Sequence, residues 1–148
     1  MVEVDMGKVI VPVRIVNQGD RYLSHMGHLP PDQIRSVDIP DALVDTGATG
    51  LMVPSRHVKT LGLRSVRSRT AVTVGGTAQL TVYEPVQLTV QGRECFVEVY
   101  EVGDHLPVLI GQVPLEVLDW VVDCHGQRLV GNPAHGGEHM IDALGIYT

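Results

Sequence analysis

Asp45 is the carboxylate best placed to do chemistry. It closes the apolar run Ala42-Leu43-Val44 and opens the tight turn Asp45-Thr46-Gly47-Ala48-Thr49. Two carboxylates held a few ångströms apart cannot both ionise at moderate pH. The ionised one then takes a proton from a bound water, while the protonated one donates to a carbonyl oxygen. Such a pair cleaves a peptide bond without a covalent intermediate. Gly47 suits it, because a residue with no Cβ lets two turns approach back to back. Gly47 and Ala48 can present backbone N–H groups to the carboxylates, and the Thr46 hydroxyl can bridge two such turns. No second Asp-Thr-Gly or Asp-Ser-Gly occurs, so the second carboxylate must come from another copy of the chain.

The surrounding pattern has to position that turn. Residues 8–16 read as a strand, on an edge or bulged, because Pro12 cannot donate to a ladder. Residues 17–35, carrying Gly19, Gly27, Pro30 and Pro31, read as a long surface loop. Residues 36–44 return to strand and lead into Asp45. After Leu51-Met52-Val53, Pro54 opens a helix to Leu61, with Gly62 at its left-handed cap. Residues 69–74 and 77–83 flank Gly75-Gly76, a two-residue hairpin turn signal. A second hairpin joins 85–90 to 94–102 at Gln91-Gly92. Pro107-Val108-Leu109-Ile110 is a short buried strand stopped by Gly111. Residues 114–118 read as a helical turn, and 121–130 as a hairpin around His125-Gly126. A glycine-rich stretch from Asn132 leads to an apolar end, 140–147, suited either to interleaving with a second chain or to docking on its own domain.

Composition agrees with a mostly β domain spanning all 148 residues, rich in Val, with 16 Gly and 9 Pro and with Phe96 and Trp120 the only residues of their types. The formal charge of −6 argues against nucleic acid, and Arg64, Arg67 and Arg69 form no basic stripe. No run reaches the ~18 apolar residues of a membrane span. Met1-Val2-Glu3-Val4-Asp5 lacks the basic start of a signal peptide, which makes the cytoplasm the expected location. Cys95 and Cys124 read as structural thiols in a reducing compartment. His25-x-x-His28 and His135-x-x-x-His139 have metal-compatible spacing, but no helix gives either pair a common face, and His-Glu-x-x-His is absent. No metal site and no cofactor are expected. Neither a Gly-x-Ser-x-Gly elbow nor a phosphate-binding glycine loop occurs.

From about Val37 to Pro133 the chain resembles the retropepsin-like aspartic proteases, most closely their small bacterial single-domain members. The resemblance is carried by Leu43-Val44-Asp45-Thr46-Gly47-Ala48-Thr49, Leu61-Gly62-Leu63, Val108-Leu109-Ile110-Gly111, Val113-Pro114-Leu115-Glu116, and Val121-Val122-Asp123 leading to Asn132-Pro133. It implies a closed, mostly antiparallel acid-protease barrel with one or two short helices. In that fold the Asp45 loop and the loop before Gly111 cross. The hairpin bearing Val74, Gly75, Gly76 and Thr77 becomes a flap over bound peptide, with Val108 and Ile110, beside Gly111, as candidate pocket walls. The chain departs from the family pattern in three ways: no tyrosine stands at the hairpin tip, Gln112 replaces the basic residue usual in retroviral enzymes, and no segment clearly matches the interleaving terminal strands.

The expected function is aspartic endopeptidase action by a homodimer in which each chain supplies one Asp45, Thr46 to Thr49 supporting the paired turns. The alternative is a catalytically silent dimeric module that holds peptides in the same cleft. Ala48 lacks the hydroxyl that Ser or Thr would offer. One fewer hydrogen bond to the ionised dyad predicts activity reaching toward mildly acidic or near-neutral pH.

Overall fold

A computed structural model of the chain describes residues 8–143; the N-terminal leader reading and the end of the apolar tail fall outside them. The first strand, β1 (Val9–Asn17), alternates strictly at its start: Val9, Val11, Val13 and Ile15 are buried, while Ile10, Pro12 and Arg14 face outward. It pairs antiparallel with β2 (Ser36–Val44). One residue, Pro12, lies between Val11 and Val13, whereas two, Pro40 and Asp41, lie between their partners Ile39 and Ala42. The prolines thus occupy a β-bulge, where a missing N–H costs no ladder bond.

The segment read as a loop, 17–35, is largely ordered structure and adds a third α-helix. Asn17 caps α1 (Gln18–His25) by accepting from the Asp20 N–H. Asp20 is buried and takes a bidentate pair of bonds from Arg35, Nε at 2.8 Å and Nη2 at 2.9 Å. That pair, reinforced by the Arg35 N–H, holds the Asp20 carboxyl below its ordinary range. Asn17 Nδ2 also donates to the Leu61 carbonyl at 2.7 Å, tying α1 to the following layer. A short 3₁₀ turn (Pro31–Gln33) completes the segment.

After Asp45 come β3 (Leu51–Pro54) and α2 (Ser55–Leu61), which buries Val58 and Leu61 and ends on Gly62 at φ 63°. The next hairpin joins β4 (Ser65–Thr73) to β5 (Gly76–Val90). Its turn is Val74-Gly75, with Thr73 paired to Gly76, one residue earlier than the Gly75-Gly76 expected. β5 is also one strand rather than two, because Pro85 sits in a register shift between Tyr83 and Val86 instead of ending it. Gln91 and Gly92, both at positive φ, turn the chain into β6 (Arg93–Val102).

The two-residue β7 (Leu109–Ile110) inserts between β2 and β3. Pairing runs β1-β2-β7-β3-β6-β5 and closes from β5 back to β1, leaving β4 as an overhang on β5. The product is the expected closed barrel, mostly β; two of its pairings, β2 with β7 and β3 with β6, are parallel. Ile15, Leu51, Leu61, Leu88, Ile110 and Leu118 fill the core, each fully buried, at about 1.5–3 kcal/mol apiece. Buried Cys95 has its thiol pushed up to about 11 by desolvation, which keeps it inert.

Beyond the barrel, α3 (Gln112–Leu118) ends on Asp119 in the left-handed conformation. A separate two-stranded sheet follows, β8 (Trp120–Asp123) with β9 (Arg128–Gly131). Arg93 stacks 3.9 Å from the Trp120 ring centroid and donates to the Leu118 and Asp119 carbonyls. Residues 133–143 fold back onto Asp119. Its buried carboxylate accepts from Asn132, His135 and the Met140 N–H, and His135 also meets Asp142 at 3.0 Å. Up to residue 143, therefore, the tail docks on its own domain.

This latch has a defined pH response. Burial raises the Asp119 pKa, but bonds from His135, Met140 and Asn132 outweigh it and hold the group at about 2. Bonds to Asp119 and then Asp142 raise His135 above its ordinary 6.5. The Asp119 contribution is present above 3.8 and lost as pH falls toward about 2. The His135 contribution is complete below 6.5 and lost as pH rises through the raised value. Stabilisation is thus greatest between about pH 4 and 6.5. His135→Gln is expected to flatten the alkaline decline of Tm between about pH 6 and 9; an unaltered Tm profile would contradict the latch.

Candidate active site

β2 and β7 run parallel, Leu43 beside Leu109 and Val44 beside Ile110. β3 flanks β7 on its other side, antiparallel, Leu51 opposite Ile110 and Met52 opposite Leu109. The chain leaving β2 must loop past β7 to reach β3, and Asp45 is the first residue of that loop. Its N–H donates to the Ile110 carbonyl at 2.9 Å. On the far side Gly111, Gln112 and Val113 donate in succession to the carbonyls of Gly50, Ala48 and Thr49 at 2.8–2.9 Å. The two loops are thus bolted together by backbone alone.

Only glycine fits at that crossing. A Cβ on Gly111 would lie 2.5 Å from the Gly50 oxygen and 2.6 Å from the Ala48 oxygen. The Asp45 carboxylate is half-buried, and its Oδ1 accepts from the Gly47 N–H at 2.9 Å. A Cβ on Gly47 would crowd that oxygen at 3.1 Å. Ala48 differs from expectation: its N–H goes to the Asp45 carbonyl at 3.0 Å, not to the carboxylate. Thr46 and Gly47 are exposed, and the Thr46 hydroxyl has no hydrogen-bond partner among the described residues.

Beside the turn opens a cleft of about 430 Å³. Gly47, Ala48 and Thr49 form one wall; Arg69, Ala71, Val72 and Leu80 of the overhanging hairpin form the other, with Met52 and Tyr100 between them. The tip residue Val74 is fully exposed and does not line it. A larger and more open hollow, about 570 Å³, lies at the Pro12–Pro40 bulge and includes no residue of the Asp45 turn.

Val108 and Ile110 are corrected by the structure: both are buried in the core, and neither they nor Gly111 line the cleft beside Asp45. The cause is parity. Ile110 shares its rung with Leu51, and Leu51 with Val99, all fully buried. The neighbouring rung, Leu43-Leu109-Met52-Tyr100, points the other way and is only partly buried. Parity thus turns Met52 and Tyr100 toward the cleft; they, with Arg69, Thr70, Ala71, Val72 and Leu80, are the cleft residues that sequence reasoning missed. Leu51-Met52-Val53 is apolar throughout, so the sequence carried no signal for which side chain faces the cleft.

His135 and His139 are each engaged elsewhere. Both ring nitrogens of His135 are engaged by Asp119 and Asp142, and His139 meets the Val117 carbonyl. Among the described residues no group of three His, Cys, Asp or Glu side chains could hold a metal, and no helix is long and apolar enough to cross a membrane.

A barrel with crossed loops and one Asp-Thr-Gly turn at a hairpin-covered cleft defines a single-lobed acid-protease domain of the retropepsin-like class. A family model described as aspartyl protease matches residues 33–113, more than half of the chain, and the chain belongs to that family. No curated protein matches it.

Proposed function

We propose that the protein is a homodimeric aspartic endopeptidase whose dyad is Asp45 and the partner's Asp45. The observation that carries the reading is the placement of one half-buried carboxylate on an exposed Thr46-Gly47 edge, at the mouth of a cleft. The Gly47 N–H steadies the carboxylate. The unengaged Thr46 hydroxyl is available to a second copy across the two-fold axis.

In this scheme a water bridges the two carboxylates. The ionised one accepts a proton as the water oxygen adds to the scissile carbonyl carbon. The protonated one gives its proton to the carbonyl oxygen, and collapse of the tetrahedral species expels the amine with a returned proton. The β4–β5 hairpin covers an extended peptide, whose apolar side chains meet Met52, Ala71, Val72 and Leu80. The scheme uses no metal and no organic cofactor.

The test is digestion of an unfolded protein from about pH 3 to 8, a range spanning dyad titration, with and without pepstatin. Pepstatin-sensitive fragments reaching toward near-neutral pH are expected. No cleavage anywhere in the range would sink the enzyme reading.

A further inference from the structure

Of the residues lining the cleft beside Asp45, the only ionised side chain is a cation, Arg69. The nearby arginines are neutralised: Arg64, just before β4, pairs with Glu84 at 3.1 Å, and Arg67 on β4 pairs with Glu98. Arg69 has no carboxylate within 4.0 Å among the described residues. Instead its Nη1 donates to the Tyr100 hydroxyl at 2.9 Å.

Tyr100 is itself held in place. β6 pairs it with Met52 in the cleft, and its ring lies so close to Gly50 that a Cβ there would come within 2.7 Å. The guanidinium is therefore tethered from the barrel to the underside of the hairpin. Tyr100 takes one of its roughly five N–H donors, and the others remain for a ligand. A cation without a carboxylate partner loses hydration when the cleft is filled. A carboxylate on the ligand compensates that loss with charge-assisted bonds; an amide compensates it far less.

We infer that Arg69, tethered by Tyr100, selects peptides carrying an aspartate or glutamate side chain near the scissile bond. The inference names a substrate class and rests on the reading of this cleft as the peptide site of a homodimer. The chain's net charge of −6 repels acidic peptides only at long range, screened over about 8 Å at physiological salt, whereas Arg69 acts at contact. Since the two halves of a two-fold cleft are equivalent, the preference should appear at positions symmetric about the cut.

The experiment uses labelled octapeptides of Ala and Leu with Glu, Gln or Lys placed at each position in turn. Binding is followed by fluorescence anisotropy on the Asp45→Asn variant, and kcat/KM is measured on wild type. Glu is expected to exceed Gln by about tenfold at one symmetric pair of positions. Arg69→Gln should bring that ratio to about one, and Arg69→Glu should turn the preference toward Lys. An undiminished Glu preference in both variants, or no preference in wild type, overturns the inference. Binding with an Arg69-dependent Glu preference but no cleavage by wild type would remove the protease reading and leave this one standing. Failure of every form to bind any peptide overturns both.

Discussion

Asp45→Asn is expected to lower peptide cleavage by at least about 10³-fold while leaving the fold intact. One carboxylate in each protomer is lost, so neither the base that takes the water proton nor the acid that protonates the carbonyl remains; each such role is typically worth about 10²–10⁴. The structural cost is small. Asn keeps an oxygen to accept from the Gly47 N–H, and the Asp45 backbone bond to Ile110 does not depend on the side chain. The variant should show an unchanged urea midpoint and an unchanged sedimentation coefficient beside its lost activity. Wild-type turnover by the variant would place the chemistry elsewhere.

Gly111→Ala is expected to damage stability and activity together. Its methyl would stand 2.5–2.7 Å from the Gly50 oxygen, the Ala48 oxygen and the Thr49 carbonyl carbon, all backbone and none able to rotate away. Relief requires separating the crossed loops, and with them the bonds from Gly111, Gln112 and Val113 to the Asp45 loop. Overpacking costs about 1–3 kcal/mol and each strained backbone bond about 1 more, so a loss of about 2–5 kcal/mol in urea unfolding is expected. Gly75→Ala is the control. A Cβ there meets nothing within 4 Å, and its stability should stay within about 0.5 kcal/mol of wild type. Equal stability of the two variants would mean that the crossing is not a rigid support.

The parts of the fold legible in the sequence are those written in local chemistry. A Val/Ile-rich run broken by Pro12 marked β1, Gly62 marked the end of α2, and Gln91-Gly92 marked a hairpin. The Asp45 turn and the Ile110-Gly111 stop marked the two loops that cross. Helix α1 was not legible, because Tyr22 and Leu23 on it and Met26 at its C-cap lie exposed and give no buried stripe. What holds it is Asp20 gripping Arg35 from fifteen residues away, a contact with no periodic signature. The cleft walls were hidden for another reason. A two-residue strand such as β7 has too little alternation to reveal which face is inward, so Val108 and Ile110 read as pocket. Arg69, Leu80 and Tyr100 meet only through strand register, which is set by the closed barrel.

The most direct measurement mixes wild-type and Asp45→Asn chains, allows them to exchange, and follows cleavage at constant total protein. If one active site needs Asp45 from both chains, activity falls as the square of the wild-type fraction, to about a quarter in an equal mixture. Activity falling linearly, to about a half, would contradict a dyad shared between two copies.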